Sequence, residues 1–530
     1  MFVETIILGA GPAGIQLGAL FEKQKIPYLI LEKAAQAGSF FQNFPLSGKL
    51  ISINKPNTGS DKADFNMRHD WNSLLSDKNL LFQEFSQDYY PSREDLAKYL
   101  QKFAKEHALN IQYESTVQTV SKKDNRYVLT VLHNSVVTEY TCEKLIVATG
   151  LSKRNMPDFT INVKQPIKHY GEYDKDAFLD PKELAKYKNK SVLMFGSGNA
   201  AYELANILTP IASSVSIIGR TQKEWAMSTH YVGDLRSVYL PFADTFLLKS
   251  LNSFSDGLKP EVLIDQEQEN GPYFVSGKDT PTSSKEPFFT EATSVFDHVL
   301  FCTGWKFDTS LFQFPIELIL TNKYPKIRSN YESVNHPNLF FIGSLGHSLD
   351  YKLSSGGFIH GFRYLLKHFM NMNYKLPYEI NYFKKDLPNP LMDLALHIME
   401  KINESSPMYQ MYGQICDFYV FHHEKGEIVY YNNVHIRMIT EGIIPFENTL
   451  GFVLTLEYGK DKITDIQKLG KKLSKIGTES QSALLHPVLR VIQPDLTYVD
   501  IIHFDEDLFA NFTKPETYLF KLIRVIKSFL

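Results

Sequence analysis

Three observations in the 530-residue sequence predict an α/β fold: two Rossmann-like dinucleotide-binding domains, the second inserted into the first, plus a C-terminal β-rich or α+β domain. A strand, a glycine-rich turn and a helix open the chain, and the same series recurs from Ser191. Each series has a later buried strand that returns the chain to its glycine turn. Beyond about Ser405 the pattern changes to strand-like runs. The expected boundaries are 1–165 with 305–385 for the first domain, 166–304 for the inserted one and 400–530 for the last.

The first series runs Val3–Leu8, then Gly9-Ala10-Gly11-Pro12-Ala13-Gly14, then a helix carrying Ile15, Leu17 and Phe21, then Tyr28–Leu31 ending at Glu32. Gly9 suits a tight turn, Gly11 a close backbone approach to a pyrophosphate, and Gly14 close helix–strand packing. Pro12 fits the first helical turn, where its missing N–H costs nothing. Ala13 belongs to the same turn, and the free amides of the helix N-terminus attract phosphate. Glu32 is placed to accept hydrogen bonds from a ribose diol, with Lys33 beside it. These residues predict FAD at the first fold.

The second series is Ser191–Phe195, then Gly196-Ser197-Gly198-Asn199-Ala200-Ala201, a helix through Leu204 and Leu208, and Val215–Ile218. Here the second strand ends in Gly219-Arg220, and a guanidinium at that position matches a 2′-phosphate that a carboxylate would repel. NADPH is therefore expected at the second fold, held by Gly196, Gly198, Asn199, Ala200 and Arg220.

The return strands are Lys144–Gly150, ending in Thr149-Gly150, and His298–Trp305, ending in Thr303-Gly304-Trp305. Alternation such as Val117-Gln118-Thr119-Val120 predicts an inserted meander, with Val117 counted among the FAD contacts. A last buried strand, Pro337–Ser344, brings Gly343, and Asp350, Gly357 and Phe358 follow. The paired glycines Gly356-Gly357 open a helix whose N-terminal amides would face the flavin carbonyl that gains negative charge on reduction.

Composition removes other classes. At 43% hydrophobic and 22% charged, the chain is neither disordered nor collagen-like. Its 56 basic and 59 acidic residues leave a formal charge of −3, so nucleic acid is not an expected partner. Cys142, Cys302 and Cys416 form no CxxC pair, which argues against a dithiol centre or a cysteine metal site. No metal is expected. The N-terminus has Glu4 and no basic residue before Lys23, and Lys527-Ser528-Phe529-Leu530 is not an ER-retention tetrapeptide. No run reaches the ~18 apolar residues of a membrane span. A soluble, cytoplasmic protein is the expectation.

Four stretches, Lys49–Lys55, Phe65–Leu75, Thr229–Arg236 and Gly356–Tyr364, are similar to the FAD-dependent oxidoreductase domain-containing protein 2 family. Weaker matches at Tyr409–Gly413 and Leu456–Lys460 extend the likeness into the C-terminal third. The flavin half also resembles class B flavin-dependent monooxygenases. That resemblance implies bound FAD and a nicotinamide cofactor. In class B monooxygenases, NADPH reduces FAD, O₂ adds to the flavin, and the resulting peroxide oxygenates an amine, a sulfide or a ketone. Flavin-containing monooxygenases carry an asparagine ahead of the second helix of the FAD domain, and Asn54 matches it as the catalytic candidate. Asn66, His69 and Asn72 are neighbours that could line the same pocket. Ile167–Tyr173 has the histidine of the Baeyer–Villiger FxGxxxHxxxW run without its flanking pattern, which favours N- or S-oxygenation of a small molecule over ester formation.

Two alternatives stay open: a flavin reductase or oxidase passing electrons to a partner or O₂, and a flavin-stabilised client-binding protein. Ser92 with Asp95 reads as a helix cap, and His422-His423 as surface strand rather than a metal pair, since adjacent strand residues face opposite ways. Lys385–Pro390 reads as a proline-containing linker, and the strand-like C-terminal part contains few helical stretches. That part could cover the substrate mouth, bind a partner or form a homodimer.

Overall fold

The computed structural model describes residues 1–220, 224–249, 253–257, 261–278, 293–375, 380–384, 390–422, 427–444, 446, 450–459 and 481–529. Lys385–Asn389 of the expected linker, His423 and Lys460 lie outside them.

The first sheet contains five parallel strands in the order Leu339–Phe341, Lys144–Val147, Thr5–Leu8, Leu29–Leu31, Ile111–Gln112. Strand Thr5–Leu8 is buried throughout and Lys144–Val147 is buried beyond its first residue, as a parallel sheet covered on both faces requires. Helix Pro12–Gln24 covers one face and packs against helix Ile359–Tyr374. The meander is present as Ser115–Lys123, Arg126–His133 and Val136–Cys142.

The second sheet repeats the plan, with parallel strands in the order Lys168–His169, His298–Phe301, Ser191–Phe195, Ser214–Gly219, Ser253–Gly257. A smaller sheet beside it pairs Thr160–Asn162 with Glu261–Asp265, so residues ahead of 166 already join the inserted unit. Two short antiparallel strands, Lys153–Arg154 and Trp305–Lys306, carry the chain out of the first unit and back. They follow Thr149-Gly150 and Thr303-Gly304, where the return strands were expected to cross. His169, fully buried, reaches Gly304 O from Nε2 at 3.1 Å and meets Trp305 edge-on, so it braces this crossing.

The C-terminal part is a six-stranded antiparallel sheet. Its edge strand is Ile380–Lys384, from a stretch that the sequence pattern gives to the first domain. Strands Ile415–His422, Glu427–His435, Leu450–Glu457 and Tyr498–His503 cover the strand-like runs expected at 418–421, 428–431, 452–456 and 498–502, and His486–Ile492 is additional. Helices join the sheet, as the α+β alternative allows. Pro390–Glu404 and Leu519–Phe529 are helices of 15 and 11 residues that pack on each other. Pro390, which suggested a linker, is the first residue of its helix, a position that proline favours. Ser92 caps helix Arg93–Glu106, its Oγ accepting from Asp95 N at 3.1 Å. No helix among the described residues is long and apolar enough to cross a membrane.

Candidate active site

The first glycine turn is assembled by close contacts. Gly9 has φ +100°, a region that side chains disfavour, and a Cβ there would lie 3.1 Å from Ala148 O. A Cβ on Gly14 would lie 2.0 Å from Gly9 O, so these two glycines fix the helix against the turn. Gly343, two residues past the last strand of the sheet, packs on Ala13. Gly11, the N-cap of helix Pro12–Gln24, differs: a Cβ there would meet nothing within 4 Å, and no side chain caps the helix. Glu32 is buried and accepts from Ala10 N at 2.7 Å and Ala34 N at 2.9 Å, which seats its carboxylate beside the turn. Lys33, Thr149 and Arg220 are exposed, and Val117 lies at a bulge in the first meander strand. An open backbone cradle, uncapped helix amides and a buried acid beside them fit FAD.

The second turn has the same construction. Gly196 has φ +109°, and its missing Cβ would lie 2.2 Å from Cys302 O. A Cβ on Gly198, the N-cap of helix Asn199–Leu208, would again enter open space. Ala200 follows in the first turn, half-buried. Asn199 turns sideways: its Oδ1 accepts from Arg236 N at 2.9 Å and its Nδ2 donates to Asp234 O at 3.0 Å. Arg220 stands just past strand Ser214–Gly219.

Asn54 is 1% exposed. Its Nδ2 donates to Ser86 O at 2.8 Å and Asp88 O at 3.2 Å, while its Oδ1 has no partner. Both N–H bonds are spent, so what the side chain can offer a ligand is an acceptor. Its main chain pairs with Asp70, and Trp71 N donates to Ile53 O at 3.1 Å. The Trp71 ring then stacks on His360 at 4.3 Å, in the first turn of helix Ile359–Tyr374. Of the named neighbours, Asn66 is used within its own loop and helix by Thr58 and Ser60. Burial lowers the pKa of His69. Asn72 is fully buried and ties Ser52 to Ile53 O.

Asp350 is buried and its carboxylate accepts from Gly356 N at 3.0 Å, from Ser354 Oγ and from His347 Nδ1 at 2.9 Å. It therefore shapes the turn that ends in Gly357 and Phe358. With the His347 proton on Nδ1, Nε2 accepts from the Tyr231 hydroxyl at 2.9 Å. This Asp350–His347–Tyr231 series joins the two nucleotide units. Tyr231, His347, Trp71 and Arg236 were not read as site residues from sequence. Three of them lie in stretches whose wording was visible but whose meeting in space was not.

Segment Glu224–Arg236 is also held from outside. Lys352 pairs with Glu224 at 2.5 Å and Asp234 at 3.3 Å. From the C-terminal part, Tyr412 donates to His230 O at 3.0 Å and the Tyr458 ring stacks on His230 at 3.7 Å. Burial there pushes the His230 pKa from its ordinary 6.5 to about 4. The neutral ring is thus favoured in the folded state, so its stabilisation is complete above pH 6.5 and is lost as pH falls to about 4. His230→Phe, which keeps a ring for the stack, is expected to reduce the fall in urea midpoint across that window. An equal fall in both proteins would refute the assignment.

The thiols take no part. Cys142, Cys302 and Cys416 are all buried, and burial raises each pKa, that of Cys142 to about 12. A thiolate needed for disulfide exchange is therefore disfavoured at every one.

Residues 6–343 match the family described as "Pyridine nucleotide-disulphide oxidoreductase". A mouse protein, "FAD-dependent oxidoreductase domain-containing protein 2", is 31% identical over 99% of this chain and 84% of its own length. The chain belongs to this family. It is an FAD-dependent oxidoreductase of the pyridine-nucleotide type. Within the family fold, 41% of the chain is 28% identical to 46% of an Arabidopsis thaliana protein, "Probable indole-3-pyruvate monooxygenase YUCCA7". A "Flavin-containing monooxygenase from Stenotrophomonas maltophilia" has the same fold, with TM-score 0.50, 17% identity and coverage of 69% of this chain and 96% of that one.

Proposed function

We propose that this oxidoreductase is an NADPH-dependent monooxygenase that N- or S-oxygenates a small molecule with O₂. The observation that carries this reading is Asn54: a buried amide oxygen without a donor, one stacked ring away from the helix aimed at the flavin. An unpaired buried acceptor is costly unless a ligand completes it. The likeness to the plant monooxygenase supports the same chemistry, and the three buried thiols argue against a dithiol relay.

FAD, when bound, supplies the electron storage and the O₂ chemistry. Residues 1–165 and 305–385 would hold it: helix amides beyond Gly11 and Pro12 at the pyrophosphate, Glu32 at the ribose, and Gly357 and Phe358 at the ring. Lys33, Val117, Thr149, Gly150 and Gly343 complete its surroundings. Residues 166–304 would hold NADPH, with Gly198, Asn199 and Ala200 at the pyrophosphate and Arg220 at the 2′-phosphate. Asn54 accepts an N–H or O–H there, and Asp350 fixes the turn beside it. The C-terminal part, 400–530, braces the junction.

The test uses flavin-loaded enzyme reduced by NADPH and mixed with O₂. Flavin absorbance is expected to recover slowly, with little hydrogen peroxide released. Asn54→Leu should speed recovery by about tenfold, the worth of one buried hydrogen bond, and release peroxide in step. Immediate recovery with full peroxide release in the parent enzyme would favour an oxidase. Failure of NADPH to reduce the flavin would leave only client binding.

A further inference from the structure

The four stretches that carry the family likeness meet at one place. Ile51 and Asn54 come from the first, Trp71 from the second, Arg236 from the third and His360 from the fourth. At their centre the Arg236 guanidinium lies 4.9 Å from the centroid of the Trp71 ring, which itself stacks on His360. We propose that Arg236 anchors an anion-binding site between the two nucleotide units, and that this site takes the carboxylate of the substrate. The word substrate rests on the oxygenase reading above; the carboxylate does not.

The first argument is how Arg236 is spent. The arginines buried among the described residues each hold at least two acceptors, and Arg68 gives two bonds to main-chain carbonyls. Arg363 gives three bonds to main-chain carbonyls, Arg93 gives three and also pairs with Glu94, and Arg490 holds Glu457 with two. Among the described residues the Arg236 guanidinium makes a single hydrogen bond, from Nη1 to Ile51 O at 3.0 Å. Among the described residues no carboxylate pairs with it. The titratable groups that act on it are the phenols of Tyr89, Tyr90 and Tyr239 and the imidazole of His360; burial raises the pKa values of Tyr89 and Tyr239 and, with the nearby arginines, lowers that of His360. A half-buried cation without a counter-ion is a standing deficit that an anionic ligand removes.

The second argument is the company it keeps. Asn54 Oδ1 and His360 Nε2 are both buried and without a partner. The main chain of Asn54 pairs with Asp70, the residue before Trp71, and the His360 ring stacks on Trp71 itself. A guanidinium lying against an indole keeps its N–H edge free for the two oxygens of a carboxylate. The spare amide oxygen and imidazole nitrogen suit an N–H or O–H on the same molecule. A dinucleotide pyrophosphate has its own cradle at Gly198, and Arg220 stands ready for a 2′-phosphate. The ligand class is therefore a small organic acid, with aromatic side walls favouring an aryl or heteroaryl group.

Phenylacetate, phenylacetamide and inorganic pyrophosphate test this by calorimetry on the flavin-loaded protein, without turnover. Phenylacetate is expected to bind the parent protein and phenylacetamide to bind much more weakly. Arg236→Met should weaken phenylacetate about tenfold or more while leaving NADP⁺ affinity within about threefold, and Arg236→Lys should recover part of the loss. Flavin content and circular dichroism of both variants show that the fold survives. Unchanged phenylacetate affinity in Arg236→Met would overturn the proposal, as would failure of phenylacetate to bind the parent. So would competition by pyrophosphate with a matching loss of NADP⁺ affinity, which would assign Arg236 to the dinucleotide. Phenylacetate binding together with full peroxide release during turnover would sink the oxygenase reading and keep the anion site.

Discussion

Gly196→Ala is expected to leave FAD bound and to slow flavin reduction by NADPH by about a hundredfold or more. The new Cβ would face Cys302 O at 2.2 Å and Cys302 C at 2.7 Å, with φ held at +109°. Both contact atoms are main chain, so no side chain can swing aside. Retreat would break the bond from Cys302 N to Phe195 O at 2.7 Å and the register of Phe195 against Phe301 at the centre of the second sheet. The first sheet shares no strand with it, which is why flavin content should survive. Gly198→Ala is the matched control: its Cβ enters open space, so the fold should stand while NADPH affinity falls. Rapid-mixing reduction traces at saturating NADPH separate the two. Reduction of Gly196→Ala within a few-fold of the parent would contradict the role given to this turn.

Arg363→Met is expected to destabilise the flavin unit by about 3 kcal/mol or more, because main-chain carbonyls buried without donors cost roughly 1–3 kcal/mol each. Arg363 is fully buried in helix Ile359–Tyr374. Its Nη1 donates to Asp70 O at 2.9 Å and Ser73 O at 2.8 Å, and its Nη2 to Met67 O at 2.7 Å. These carbonyls end helix Ala63–His69 and form the loop that carries Trp71. Methionine keeps much of the volume and removes every donor. Earlier flavin release on heating, together with a lower denaturant midpoint, is the expected result. A midpoint within 1 kcal/mol of the parent would show that water or a neighbour satisfies the three carbonyls.

The parts of this molecule visible in sequence are those fixed by local chemistry. Gly9, Gly14 and Gly196 are dictated by contacts of the turn with itself and with its own sheet. The helix at Pro390 was hidden because proline signals both a linker and a helix start. Strand His486–Ile492 was hidden by Pro487 and by an apolar stretch that Arg490 interrupts without setting up a regular alternation. The site itself divides the same way. The cradles were legible, whereas the bare oxygen of Asn54 and the under-used guanidinium of Arg236 depend on which distant carbonyls were already taken. No single stretch records that accounting.

The grip on segment Glu224–Arg236 has a consequence for how turnover is timed. A nicotinamide unit that swung between two orientations would have to unstack His230 from Tyr458, release Tyr231 from His347 and part Lys352 from Glu224 and Asp234 in one motion. Contacts from two separate parts of the chain, residues 347–352 and Tyr458, would have to let go together. With those contacts kept intact through the cycle, it is the ligand that has to move.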